Sequence, residues 1–279
     1  MTKWVVRQKF DDCCLYRIMP FEQLMQMLVE KVNTLVKPSK WEDPYELFIK
    51  NCKVRFCSDD KIIEGKSLKW ERWYGQCWTK VKDSDGLWRS FTHNKAVRCV
   101  KIRTTKQKLY NSLQNSVAIK KKPIIPFLSE VNYVGSFKGD AIQNIFDHSM
   151  KEYVGRLFLN KESDVEKIIS ASLSYSLLQT KRDSFQYEDE VRLFAYDENQ
   201  IIDKDVFSYN ISPKKLIEEI EFDPWTPDYL QNTYKKLLER YKFKNHKGKE
   251  NVVKFSQLYK KPREGLELKI DNYELVIEK

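Results

Sequence analysis

Apolar residues at Phe21, Leu24, Met25, Leu28 and Val32 recur at the spacing of a helix that buries one face. The run from Phe21 to Val32 is therefore expected to be an amphipathic helix. A short strand over Asp11 to Ile18, ending at Met19-Pro20, should precede it. Further on the period drops to two: Ala96 to Ile102 alternates apolar with basic, as a half-buried strand does. Lys53 to Cys57, Gly75 to Lys80, Val131 to Val134, Val206 to Ile211 and Glu267 to Ile277 also read as strands. Ser67 to Tyr74 and Lys106 to Val117 read as helices, and a helical middle is expected at about Ala141 to Arg156 and Glu162 to Leu178. Asp83-Ser84-Asp85-Gly86 is a turn or helix cap ahead of Leu87 to Phe91. Ser212-Pro213 opens a helix with Leu216, Ile217 and Ile220 on one face, and Thr226-Pro227 opens another over Asp228 to Lys242. The pattern is α+β: one domain over residues 1–279, with a helical insert at about 141–178 and a helix-and-strand extension at about 212–279.

One stretch carries more charge than a core strand needs. Gln186-Tyr187-Glu188-Asp189-Glu190-Val191-Arg192-Leu193-Phe194 begins acidic and turns β-prone and apolar. Read as one strand, it puts Glu188, Glu190 and Arg192 on one face and Tyr187, Val191 and Leu193 on the other. Two carboxylates beside a guanidinium at a strand mouth suit a reaction centre. The same run also suits a solvated strand edge on which Arg192 simply pairs with Glu190.

Composition narrows the chemistry by exclusion. No apolar run reaches the ~18 residues of a membrane span, and Met1 to Arg7 lacks the apolar core of a secretory signal, so a cytoplasmic protein is expected. Fifty Lys and Arg against forty Asp and Glu leave a formal charge of +10, which favours nucleic acid, nucleotide phosphates or an acidic partner. The six cysteines do not make a disulfide framework, and no second close pair or histidine accompanies Cys52 and Cys57, so buried reduced thiols are expected. His93, His148 and His246 stand in ordinary polar contexts, and there is no HExxH, P-loop or GxGxxG pattern. Carboxylates, arginines and aromatics are left as the candidate groups.

Leu15-Tyr16-Arg17, a helix, and then Trp41-Glu42-Asp43-Pro44-Tyr45-Glu46 resemble the opening of a bacterial family of unassigned function associated with abortive phage infection. Cys77-Trp78-Thr79, Leu87-Trp88, Val131-Asn132-Tyr133 and Tyr187 to Leu193 resemble that family's later motifs, in the same order, over about residues 13 to 215. The family's layout is in turn similar to the ADP-ribosyltransferase fold, which places an Arg or His on its first strand, a Ser/Thr motif on a second and a Glu-x-Glu on a later one. The resemblance implies mixed and antiparallel sheets with helical insertions, and NAD as substrate. It puts those motifs on Arg17, on Thr79, and on Glu188 and Glu190. Two departures stand out: Cys-Trp-Thr replaces Ser-Thr-Ser, and Arg17 stands where the family usually has His.

The chemistry so implied is consistent. Cleaving the nicotinamide–ribose bond develops an oxocarbenium-like cation that an ionised carboxylate stabilises. Glu190 takes that role, Glu188 orients or deprotonates the acceptor, and Arg192 keeps Glu190 ionised. Arg17 would grip a phosphate of NAD, with Tyr16 and Thr79 beside it, and Trp78, Trp88 or Tyr133 would stack on the nicotinamide or on an acceptor base. The tryptophans serve equally well as core, and Asp43 and Glu46 as braces of their loop against Arg17. Such a transferase would be a toxin acting on RNA, DNA or protein, held in check by an antitoxin or chaperone. The alternatives are a nuclease with magnesium on Asp43, Glu46, Glu188 and Glu190, and a non-enzymatic module that binds nucleic acid or a partner.

Overall fold

The computed structural model describes residues 10–11, 13–43, 45–46, 56–58, 61–63, 70–119, 123–135, 144, 147, 165–243, 252–260, 267–270 and 273–276. Apart from positions 144 and 147, the expected helix at 141–156 lies outside them, as do the lysines at 120–122, Cys52, His148 and His246.

Strand β1 (Cys14–Pro20) starts later than the alternation suggested and runs into helix α1 (Phe21–Glu30), which buries Phe21, Leu24, Met27 and Leu28. Lys31, left-handed at φ 55°, ends that helix. Val32, expected to close it, instead opens β2 (Val32–Val36). A small hairpin of β3 (Phe56–Ser58) and β4 (Lys61–Ile63) follows. The described part of the helix expected over Ser67 to Tyr74 is not α-helical: Trp70–Arg72 form one 3-10 turn, and Trp73 begins β5 (Trp73–Thr79). The apolar run Trp73 to Trp78 is buried on both faces, a pattern that does not alternate.

Ser84 caps α2 (Asp85–Phe91) by accepting from the Leu87 N–H, as its sequence indicated. Strand β6 (Cys99–Thr105) and helix α3 (Lys106–Ile119) come next, then β7 (Ile124–Glu130), which was not expected from the sequence. Among the described residues β7 pairs only with one strand, so Pro126 needs no donor on its free side. After β8 (Asn132–Val134) come α4 (Val165–Leu178), β9 (Thr180–Arg182), β10 (Glu190–Asp197), β11 (Val206–Asn210) and α5 (Pro213–Leu216). Ile220, expected on a helix, lies in β12 (Glu219–Phe222). Helix α6 (Asp228–Glu239), β13 (Val253–Phe255) and a hairpin of β14 (Glu267–Ile270) and β15 (Tyr273–Val276) complete the described chain.

Nine strands form one sheet in the order β11-β2-β5-β1-β6-β12-β13, with β10 between β5 and β7. All its pairs are antiparallel except β12–β13. It is a mixed, mostly antiparallel α+β architecture. Strand β5 is the branch point. It pairs along its whole length with β10, but meets β2 only at Val36–Gly75 and β1 only at Tyr16–Thr79.

Alternation along these strands sorts the side chains onto two faces. One face carries Leu15, Met19, Leu35, Tyr74, Trp78, Val100, Ile102, Val191 and Leu193 beneath α1, α3 and α6. The other carries Trp73, Phe127, Phe194 and Tyr196 packed on Ala171, Tyr175 and Leu178 of α4, and Ile18 and Cys99 packed on Leu87 and Trp88 of α2. Each large apolar side chain so buried contributes about 1.5–3 kcal/mol. No described helix is long and apolar enough to cross a membrane.

Candidate active site

The acidic stretch is not one strand. Asp183–Glu188 form a 3-10 helix, and Asp189, left-handed at φ 41°, turns the chain so that β10 begins at Glu190. Asp tolerates that conformation better than most residues. Tyr187, expected on the core face, is exposed. Glu190 and Arg192 do share a face, with Phe194 and Tyr196. Glu188 reaches them from the 3-10 helix instead of along a strand.

Five ionic groups close on one another there: Glu46, Lys181, Glu188, Glu190 and Arg192. Arg192, 1% exposed, donates from Nε to Glu190 Oε1 (2.8 Å), from Nη2 to Glu190 Oε2 (2.9 Å), from Nη1 to the Leu178 carbonyl (2.6 Å), and to Glu46. Lys181 Nζ donates to Glu188 Oε2 at 2.6 Å and to Glu190 Oε2 at 3.2 Å. The Cys77 thiol bonds to the same Glu190 carboxylate. The Trp41 ring covers the guanidinium, 4.5 Å from its carbon. Gly75 makes that possible, since a Cβ there would stand 2.6 Å from the Trp41 ring.

Local structure delivers each partner. The Asp43 carboxylate accepts from the Tyr45 N–H (2.9 Å), folding the turn that carries Glu46 inward, and pairs with Arg182 (3.2 Å). Neither acid braces Arg17. Parallel pairing of β8 with β9 sets Tyr133 opposite Lys181, and Tyr133 Oη accepts from the Glu190 N–H at 2.9 Å. Thr79 donates its hydroxyl to the Glu188 carbonyl and accepts from the Val81 N–H (2.9 Å), so it secures the acidic turn.

The charges differ in kind. Burial alone would raise the Glu190 pKa, but the charges and hydrogen bonds of Arg192, then Lys181, overcome it and hold the group at about 2. Glu188 lies at the mouth with a side chain 22% exposed. Burial raises its pKa, and Lys181 only partly offsets this. Lys181 is held protonated by Glu190 and Glu188 against its own burial. Burial and Glu190 push Cys77 well up, keeping it a thiol, and Tyr133 is pushed up to about 12. The site thus pairs a fixed anion with a neighbouring carboxyl that takes up a proton more readily.

The other sequence candidates divide between the two faces. Register places Tyr16, Thr79 and Glu190 in one row across β1, β5 and β10. Arg17 alternates to the opposite face with Leu15 and Met19, near Tyr209. Trp78 is buried there and donates from Nε1 to Gln76 Oε1 (2.9 Å). Trp88 is core, packed with Ile18 and Cys99, and the Lys101 ammonium lies 5.4 Å from its ring. Sequence reasoning missed Lys181 and placed Glu46 against the wrong arginine. The only available signal was a Lys-Arg pair at 181–182, seven residues ahead of the acids.

Among the described residues no three His, Cys, Asp or Glu side chains form a metal-holding group. Each acid of the magnesium alternative already faces a cation: Asp43 with Arg182, Glu46 and Glu190 with Arg192, Glu188 with Lys181.

Residues 87–193 match the family described as a protein of unknown function (DUF2971), a span that begins within α2 and ends within β10. No curated protein matches the chain. Among solved structures, Thermus sp. 2.9 DarT in complex with NAD+ is similar at 10% identity and a TM-score of 0.34, over 90% of this chain and 98% of that one. The same protein in complex with ADP-ribosylated ssDNA gives 10% identity and a TM-score of 0.35, over 90% and 97%. Its complex with carba-NAD+ gives 10% and 0.33, over 89% and 98%.

Proposed function

We propose that the chain is an NAD-dependent ADP-ribosyltransferase, acting in the cytoplasm as a toxin of a phage-defence system and modifying RNA, DNA or a protein. One observation carries this reading: Arg192 of β10 and Lys181 of β9 converge to keep a single buried carboxylate, Glu190, ionised beside a second acid of opposite pKa tendency. A fixed anion is what the developing ribosyl cation requires, and a proton-accepting neighbour is what an incoming hydroxyl or amine requires. NAD as the donor follows from the resemblance of the motifs at Arg17, Thr79, Glu188 and Glu190; register sets Thr79 and Glu190 in one row with Tyr16, while Arg17 lies on the opposite face. Tyr133, opposite Lys181, sets an aromatic ring beside the pair through its bond to the Glu190 N–H. An antitoxin or chaperone partner belongs to the same reading.

The test is nicotinamide release and label transfer from radiolabelled NAD, using purified protein with oligonucleotides or with lysate. Glu190→Gln should lower both by at least ~100-fold. Glu188→Gln should spare nicotinamide release and depress transfer. Full transfer by a folded Glu190→Gln protein overturns the assignment. Cleavage of nucleic acid that needs magnesium and ignores NAD would instead establish the nuclease.

A further inference from the structure

A second cluster lies on the α2 side of the sheet, built around the indole of Trp225, in the turn between β12 and α6. The Lys95 ammonium lies 5.1 Å from the Trp225 ring centroid and the Arg89 guanidinium carbon 5.4 Å. The Tyr259 ring sits 5.6 Å away, tilted by 40°. Arg89 donates to Tyr259 Oη (3.0 Å) and to Asp85 (2.8 Å), which also accepts from Tyr259. Arg98 donates to the Trp225 carbonyl at 3.0 Å.

The backbone is arranged to deliver this. His93, Asn94 and Lys95 are all left-handed, at φ 46°, 53° and 77°, a run that side chains with a Cβ seldom adopt. It is held by the Asn94 N–H on the Arg89 carbonyl (3.0 Å) and the Lys95 N–H on Thr92 Oγ1 (3.2 Å). Tyr259 remains 48% exposed, with Leu258 and Lys260 exposed beside it. Arg89, Lys95, Arg98 and Lys260 outnumber Asp85 and Asp223; Lys95 makes no salt bridge among the described residues and feels the charge of Asp85.

We propose that this surface binds single-stranded nucleic acid by stacking bases on Tyr259 and Trp225 while the surrounding cations meet the phosphates. Flat π faces interleaved with cations suit a strand whose bases are free to stack; a duplex keeps its bases stacked on one another. Helix α2 packs on the face that carries Tyr16, Thr79 and Glu190, so a strand held here lies on the same side as the carboxylate cluster. Binding needs neither NAD nor catalysis, so it stands or falls apart from the transfer reaction.

The experiment is fluorescence anisotropy of labelled DNA and RNA single strands of about 12 nucleotides, and of a duplex of equal length, without NAD. Titrations at about 50 and about 200 mM salt give the electrostatic slope. Single strands should bind about tenfold tighter than duplex, and the DNA and RNA arms identify which strand is preferred. Tyr259→Ala, at an exposed position, should weaken binding about tenfold without moving the thermal melt. Lys95→Gln should weaken it and flatten the salt slope by about one. Lys214→Gln with Lys215→Gln, exposed on α5, should change it less than about twofold. Equal affinity for duplex, or equal losses from the α5 control and the Tyr259 variant, overturns the proposal.

Discussion

Arg17 and Arg192 sit on neighbouring parts of one sheet, on opposite faces, and their surroundings could hardly differ more. Arg192 is enclosed by Glu46, Glu190 and the Leu178 carbonyl, which raise its pKa further despite burial. Arg17 is half-buried with no ion pair among the described residues, and burial pulls its pKa down to about 10. Its neighbourhood is polar but neutral. Asn33 donates to Gln76 (3.1 Å) and to Tyr209 Oη (2.8 Å), Gln76 donates to the Thr34 carbonyl (2.9 Å), and Ser112 meets Tyr209 Oη at 2.9 Å. One face therefore stores charge by mutual neutralisation, and the other leaves a cation to be satisfied by water or by a ligand. That difference is testable from both ends.

The largest effect is expected at Arg192. Arg192→Met removes the cation and leaves Glu46 and Glu190 buried and facing each other, which should cost about 3–5 kcal/mol. Equilibrium urea unfolding measures it. A loss below about 1 kcal/mol would mean that the two acids already hold a proton, and the contrast with Arg17 would collapse.

Next comes acid. The Glu190 pKa is about 2 in the fold against 4.5 for a free glutamate. Between those values the unfolded chain binds more protons, so the stabilisation is whole above pH 4.5 and drains away as the pH falls towards 2. It amounts to on the order of 3 kcal/mol. Glu188 works the other way: its folded pKa is raised, so its charge costs stability at neutral pH, and that cost is relieved as the pH falls through the raised value. Unfolding free energies at several pH values from about 3 to about 7 should show the late acid loss in wild type and a smaller one in Glu190→Gln. Parallel curves for the two proteins would place the titrating charge elsewhere.

A smaller effect belongs to Tyr133. Tyr133→Phe leaves the Glu190 N–H without its acceptor while keeping the ring, at about 1 kcal/mol. A double-mutant cycle with Arg192→Met should be close to additive, because this bond meets the backbone and not the ion cluster. Strong coupling would show that the backbone at Glu190 is set by the charges.

These contrasts also explain what the sequence could and could not say. Alternation through Val191, Leu193 and Phe194 marked the strand, and the acids beside it marked the site. The break at Asp189 was invisible, because Glu-Asp-Glu before a strand fits either an extended edge or a left-handed turn. Lys181 was missed for a different reason: it meets Glu190 only through the β8–β9 pairing and the 3-10 turn between, neither of which leaves a periodic trace. Most of β5 was legible as a strand from Gly75 on; only Trp73 and Tyr74 read as the end of a helix, because the Trp-rich, charged stretch before them carries no strand alternation. Strand β7 has no counterpart among the elements expected from the sequence; it carries Pro126, a residue that sheets accept mainly at an edge.

The smallest expected effect carries the sharpest discrimination. Arg17→Met takes away no hydrogen bond or ion pair among the described residues, and it removes a cation whose burial is uncompensated. Urea unfolding should place it within about 1 kcal/mol of wild type, on the stabilised side if it moves at all. Because Arg17 lies on the face opposite Glu190, the same substitution should leave KM for NAD unchanged; a raised KM would place the donor's phosphates on the Arg17 face. If Arg17→Met instead unfolds the protein as Arg192→Met does, a carboxylate must reach Arg17, and both faces of the sheet would hold their charge in the same way.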